Sequence, residues 1–369
     1  MTASNALFQP LQIKGLTLPN RFLMSPMTRG FSPNGTPTDA VAEYYAKRAG
    51  AQVGLIISEG TGIERQASLN NSSYPRFYGS DALAGWKTVI DSVHSSGGLM
   101  APQLWHVGAM EDSANPGTTP AGYPFESPSA LSAPGVALGH AMSDSDIADT
   151  IDAFAQAAFD AKRLGFDAVE LHGAHGYLID QFFWSGTNRR SGPYGGDTLA
   201  ERGRFAAEIV RSVRAKVGVD FPIILRLSQW KINDYDARIV STPKELEAWV
   251  TPLSDAGVDV FDCSQRRFWE PMFEGSDLNF AGWTKKLTAL PTITVGSVGL
   301  SGDVQSAFAG KSSQITPLDE LLRRFDRGDF DLVAVGRALL QDPYWVAKVH
   351  DGRSEELRDF EAASMGSLS

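Results

Sequence analysis

Short apolar runs alternate with longer amphipathic stretches along the whole chain, and this alternation restricts the fold more than any other feature. The runs expected as strands are Arg21–Pro26, Val53–Ser58, Leu99–Leu104, Ala168–Leu171, Ile223–Leu227, Val258–Asp262, Thr292–Val295 and Leu332–Val335. Several are rich in Val, Ile and Leu without strict polar alternation, the pattern of parallel strands covered on both faces. Helical patterns lie between them. One covers Asp39–Ala49; another runs from Asp81 through Trp86, Val89, Ile90 and Val93 and stops at Gly97-Gly98. A third opens at Ser143, with Asp146 three positions on as in a capping box, and continues to Gly165. Leu199–Val217, Pro243–Ala256 and Pro317–Arg327 complete the set. Eight strands alternating with helices predict the α/β class and a closed (β/α)8 TIM barrel, one domain over residues 1–369. An open sheet of six or seven strands is the competing arrangement, because the fourth and eighth runs are short.

Two segments fit no core element. Ala109–Gly139, rich in Pro, Gly, Ser and Ala, is too long for an ordinary βα connection and reads as an excursion over the C-terminal rim. Gln265–Asn279 carries Arg266, Arg267, Phe268, Trp269 and Phe273. It reads either as a lid over a planar ligand or as a loop packing its own aromatics on the scaffold.

Composition excludes several partners. With 369 residues, 43% hydrophobic and 21% charged, the chain is ordinary globular material, and α/β barrels of this length form one domain. A formal net charge of −10 gives no electrostatic footing on nucleic acid or an anionic membrane. The single cysteine, Cys263, excludes an intramolecular disulfide, a four-cysteine zinc site and a cysteine-held iron–sulfur cluster. Met1–Pro10 lacks the pattern of a signal peptide, and no run reaches the roughly 18 apolar residues of a membrane helix. The expectation is a cytoplasmic protein acting on a small molecule; the sequence specifies no oligomeric state.

A barrel carries its chemistry where the strands end. The residues following the apolar runs are Pro26-Met27-Thr28, Glu59-Gly60-Thr61, Gln103-Leu104-Trp105-His106, His172-Gly-Ala-His175-Gly-Tyr177, Cys263-Ser264, Gly296-Ser297-Val298-Gly299 and Gly336-Arg337. Together they describe a rim for a polar, extended ligand. Gly296, Ser297, Gly336 and Arg337 fall after strands seven and eight, where such barrels often bind phosphate; two plain glycine turns and a surface arginine are the alternative. Arg226 sits inside an apolar strand, and a guanidinium there demands an anionic partner: a structural carboxylate, or a cofactor that becomes negative on reduction. His172 and His175 can both donate to one oxygen, and Tyr177 can give a proton, which is what reduction of an activated alkene requires. Metal binding by His172 and His175 competes with this reading, but only His106 among the other histidines lies near a rim. No strand run ends in lysine, which argues against Schiff-base chemistry; Lys231, just past strand five, is expected to face solvent.

At this point the chain resembles the Old Yellow Enzyme family of FMN-dependent ene-reductases. The resemblance runs from Leu7-Phe8-Gln9-Pro10-Leu11 and Ser25-Pro26-Met27-Thr28-Arg29 through Ser58-Glu59-Gly60-Thr61 and Gln103-Leu104-Trp105-His106. It is strongest over His172 to Gly196 and closes at Val335-Gly336-Arg337. It implies FMN as cofactor and NAD(P)H as hydride donor. Pro26, Met27, Gly60 and Gln103 would line the flavin, Thr28 would reach its O4 region, and Arg226 would face N1 and O2. Gly296, Ser297, Gly336 and Arg337 would hold the phosphate. His172 and His175 would grip a substrate carbonyl, Tyr177 would protonate the α-carbon, and Trp105 would wall the substrate space. Phe183-Trp184-Ser185-Gly186 and Ser191-Gly192-Pro193 depart from the common pattern, which bears on local loop shape. The readings ranked below an ene-reductase are a flavin-dependent amine dehydrogenase or demethylase of the same fold, a metal-dependent barrel hydrolase or lyase, and a flavin-binding protein with a closed acceptor site.

Overall fold

Eight parallel strands close on themselves in this computed structural model, which describes residues 4–112 and 116–369. They are β1 (Phe22–Met24), β2 (Leu55–Gly62), β3 (Met100–Trp105), β4 (Val169–His175), β5 (Ile223–Lys231), β6 (Val260–Ser264), β7 (Thr292–Val295) and β8 (Leu332–Val335). The ring is closed by β8 pairing with β1 through Val333–Phe22, Ala334–Leu23 and Val335–Met24. An open sheet is therefore excluded. Outside it lie α1 (Asp39–Ala49), α2 (Ser80–Ser95), α3 (Asp144–Leu164), α4 (Leu178–Phe183), α5 (Arg204–Val217), α6 (Pro243–Ala256), α7 (Phe280–Thr288) and α8 (Asp319–Asp326), followed by the short α9 (Arg337–Gln341).

Strand periodicity explains what lies on each side of the wall. Alternate side chains face opposite ways. Met24, Ile56, Leu104, Leu171, Leu225, Phe261 and Val333 join the large outer core beneath the helices. Leu23, Leu55, Ile57, Ala101, Ala168, Ile224, Val260 and Ile293 form a separate inner cluster, packed by Leu11, Ile13, Leu16 and Leu18 of an N-terminal hairpin. Two residues further along the strands, the inner face turns polar: Gln103, Glu170, Arg226 and Asp262 are all buried. One more step reaches His172 and Ser264 at the mouth. The barrel is an oily plug below, a charged layer in the middle and a polar rim on top.

Local boundaries follow recognisable chemistry. Ser143 and Asp146 form the expected capping box on α3, and Gly165 ends it in the left-handed conformation (φ 99°). The expected Leu199–Val217 helix is broken, with Leu199–Arg202 and α5 meeting at Gly203. Strands four and five both run past their apolar cores, to His175 and Lys231. Their pairing continues with a register irregularity between Gly173 and His175. Lys231 does not face solvent as expected. It is fully buried, 2.9 Å from Asp180, because the longer β5 carries it under the turn after β4.

The excursion at 109–139, of which residues 113–115 lie outside the described residues, packs Phe125 with Trp105, Val107 and Ala109 behind the rim. In the segment 265–279, Phe268 and Phe273 are buried in the outer core, so these aromatics pack on the scaffold; Gln265 and Arg266 alone reach the mouth.

Candidate active site

The barrel mouth opens into a cavity of about 1210 Å³, including its open neck. Its wall brings together Pro26, Met27, Thr28, Gln103, His172, His175, Tyr177, Arg226, Gly296, Ser297, Gly336 and Arg337. Gly60 and Trp105, also singled out in the sequence, stand one layer back. A Cβ on Gly60 would lie 2.6 Å from the Trp105 indole, so the glycine seats that ring rather than opening on the cavity. Trp105 in turn meets the Tyr177 ring edge-on at 4.8 Å.

At one end the β4 turn gathers three rings. His172 lies 5.3 Å from His175 and 4.9 Å from Tyr177, centroid to centroid. Trp230 of β5 stacks on His175 at 4.2 Å. His175 takes a left-handed backbone (φ 66°), uncommon for a residue with a side chain, and Gly176 follows it (φ 88°). Its Nε2 shares a 2.8 Å hydrogen bond with Ser264 Oγ, whereas the buried Nδ1 of His172 has no partner. Burial, reinforced by the Arg226 charge, holds both imidazoles well below the ordinary histidine range. Each is a neutral group with one N–H to give. Burial also pushes the Tyr177 phenol up, so it keeps its proton at neutral pH.

Beneath these rings lies the charged layer. Arg226 donates to Ser25 Oγ at 3.3 Å and Ser264 Oγ at 3.5 Å, and its Nε is 3.5 Å from Asp262. Glu170 accepts from Gln103 Nε2 at 2.7 Å. Burial and the neighbouring Asp262 push Glu170 well up; burial also raises Asp262, against the pull of Arg226. Two carboxyls beside one guanidinium favour holding a proton between them.

The opposite end is cationic. Arg337 donates to Gly302 O at 2.6 Å, Asp303 O at 2.8 Å and Ser297 Oγ at 3.3 Å. No carboxylate lies within ion-pair distance of it among the described residues. A Cβ on Gly296 would sit 2.5 Å from Gln265 O, and Gly296 (φ 133°) and Ser297 (φ 54°) turn the backbone sharply there.

Between the ends, Thr28 begins a turn held from below. Glu59 Oε2 accepts the backbone N–H of Arg29 at 2.9 Å and of Gly30 at 3.1 Å. Burial raises Glu59 to about 7 against those bonds. The Arg29 guanidinium donates to the carbonyls of Ser364, Met365 and Ser367, which lays Met365 against the cavity. His106, the nearest rim histidine in the sequence, is instead buried 2.8 Å from Glu126. Although burial opposes it, bonds from His106 and Arg65 hold Glu126 at about 2. Among the described residues no group of three or more His, Cys, Asp or Glu is disposed to hold a metal ion.

Sequence reasoning gave no role to Ser25, Trp230, Ser264 or Met365. The first three lie on the inner face of strands once their period is extended past the apolar core. Met365 comes from a segment without any local signal.

A family model described as the NADH:flavin oxidoreductase / NADH oxidase family matches residues 6–356. An NADH oxidase of Thermoanaerobacter brockii is 33% identical over 100% of this chain and 54% of its own length. The chain thus spans about half the length of that curated relative. A solved structure of morphinone reductase in complex with tetrahydroNAD superposes with a TM-score of 0.81 at 28% identity, covering 98% of this chain and 94% of the other. The structure of an Old Yellow Enzyme homologue from Zymomonas mobilis gives a TM-score of 0.81 at 26% identity, covering 99% and 97%.

Proposed function

Because this chain belongs to the NADH:flavin oxidoreductase / NADH oxidase family, we propose that its cavity takes FMN and that the protein is an NAD(P)H-dependent ene-reductase. The observation that carries this reading is the convergence of two neutral imidazoles and a protonated phenol on the cavity that also presents Arg226 and Arg337.

The residues fit a flavin mononucleotide on their own chemistry. Arg226, whose guanidinium hydrogen bonds among the described residues go only to the Ser25 and Ser264 hydroxyls, lines the cavity beside Gln103 and Ser25, a donor set for the acceptor-rich edge of a flavin ring. Arg337, paired only to carbonyl and hydroxyl oxygens, suits a phosphate, with the Gly296–Ser297 backbone close by. Pro26, Met27 and Thr28 supply wall surface for the ring. Bound there, FMN supplies hydride chemistry, accepting from NAD(P)H and giving to an electron-poor carbon.

The chain's own work is then to bind, orient and protonate. His172 and His175 donate N–H bonds to the carbonyl oxygen of an α,β-unsaturated acceptor, drawing electron density from its β-carbon. Tyr177, 4.9 Å from His172 between ring centres, gives the hydroxyl proton to the α-carbon. Hydride at one carbon and proton at the other saturate the double bond. Arg226 keeps positive charge on the cavity floor, which favours negative charge above it.

Anaerobic incubation with NADH or NADPH and 2-cyclohexenone tests the reading. Cyclohexanone formed stoichiometrically with dinucleotide consumed is the expected result. Dinucleotide consumed only when dioxygen is admitted, with the enone untouched, would replace it with an oxidase.

A further inference from the structure

We infer that the buried pair Asp180–Lys231 is a positioning pair that holds the His175–Gly176 turn and thereby sets Tyr177 for proton delivery; this rests on the proposed role of Tyr177. The turn has four backbone polar groups, and each has a dedicated partner. His175 N–H donates to Ser228 Oγ at 2.8 Å, and His175 O accepts from Ile232 N–H at 3.1 Å. Gly176 O accepts from Gln181 Nε2 at 2.7 Å, and Gly176 N–H donates to Asp180 Oδ2 at 2.6 Å. Three of these partners are neutral. The fourth is a carboxylate with no access to water, and Lys231 Nζ stands 2.9 Å from the same oxygen.

That ammonium is itself fixed from below, donating to Gln229 O at 2.8 Å. An isolated buried carboxylate takes up a proton rather than remain charged; a neutral carboxyl accepts more weakly than a carboxylate and can turn its hydroxyl, which does not accept well, toward the amide. Lys231 therefore keeps Asp180 in the form that accepts from Gly176. Both left-handed residues of the turn (φ 66° and 88°) lie directly before Tyr177 in the chain, so release of the Gly176 amide frees the phenol's own backbone. A structural ion pair replaceable by apolar groups is the plain alternative. Its placement argues otherwise: it sits under the strained turn that leads into Tyr177 and spends its charge on that turn's amide.

The test compares Lys231→Met, Asp180→Ala and the double variant Lys231→Met/Asp180→Asn in the flavin-loaded protein, with three readouts. These are the rate of reoxidation by 2-cyclohexenone against pH, the rate of reduction by NADH, and amide hydrogen exchange of the 173–178 segment. Lys231→Met should slow reoxidation at pH 6 by about 10-fold or more, since misplacement of a reacting group by an ångström costs up to about 100-fold. The rate should recover as pH rises and Asp180 ionises, an acid limb absent from the parent. Reduction by NADH should stay within about threefold, and exchange at Gly176 should quicken by about 10-fold with the barrel strands unchanged. The double variant, whose side-chain amide carbonyl at position 180 accepts without charge, should regain most of the rate with a flat pH profile. Should Lys231→Met not fold, Asp180→Ala, which leaves the Gly176 amide without its acceptor, is read alone, and parental exchange and reoxidation there would overturn the inference. So would a flat pH profile with parental exchange in Lys231→Met, or equal loss of both half-reactions with exchange raised throughout the barrel. Undiminished enone reduction by Tyr177→Phe would instead sink the proton-donor role, while the exchange result at Gly176 would stand by itself.

Discussion

The two arginines of the cavity are held in opposite ways. Arg226 rises from the barrel interior with a carboxylate at 3.5 Å and a second buried carboxyl, Glu170, nearby. Arg337 begins the short α9 and gives its hydrogen bonds to two carbonyls and a hydroxyl. The first charge has a carboxylate partner and is linked through the Ser264 hydroxyl to His175; the second has no carboxylate within ion-pair distance among the described residues, although Asp303 acts on it from further off. On the proposed reading, one end of the cavity serves the chemistry and the other anchors the phosphate.

That division can be broken from either side. The largest effect should come from Tyr177→Phe. Enone reoxidation should fall by about 10²- to 10⁴-fold, the usual worth of a positioned proton donor, while FMN affinity stays put. A stopped-flow comparison with the parent reads both. Arg337→Met should do the converse. Loss of a charge-assisted pair, about 1.5–3 kcal/mol, should weaken FMN binding by about 10- to 100-fold. Fluorescence titration measures this, and the fully loaded variant should still reduce the enone. Smaller still, Arg226→Met should lower the flavin midpoint potential by about 30–60 mV, because the reduced ring loses a facing cation and about 30 mV corresponds to tenfold for two electrons. If the two arginine variants gave the same pattern, the comparison would fail.

The smallest effect concerns the turn between the ends. Glu59 is raised to about 7, chiefly by burial, from an unfolded value near 4.5. The folded state then binds more protons between those values, so this group's contribution to stability is present below about pH 4.5 and is lost as pH rises through about 7. Glu59→Gln should flatten that part of the curve. Thermal melts at pH 5 and pH 7 should differ less in the variant than in the parent.

The fold was legible because eight apolar runs separated by capped helices admit few arrangements, and closure shows in pairing that sequence cannot display. Most of the cavity wall was legible too, since polar residues following oily strands stand out. The misses share a cause. Taking the strand end as the apolar end hid Trp230 and turned Lys231 outward. In fact β4 and β5 stay paired through polar residues to His175 and Lys231, where side chains and the following turn take up the backbone groups that the irregular register leaves over. Gly60 was read as cofactor wall, yet the indole it seats comes from β3, a neighbour known only in three dimensions. Met365 depends on the reach of Arg29 across the whole chain.

The central claim, a flavin mononucleotide tethered at the Arg337 end of this cavity, is tested most directly by the purified protein's absorbance spectrum and the mass of what heat releases from it. A yellow protein carrying one FMN per chain, bleached by NADH under argon, is the expected result. A colourless protein that takes up no FMN on reconstitution would contradict it.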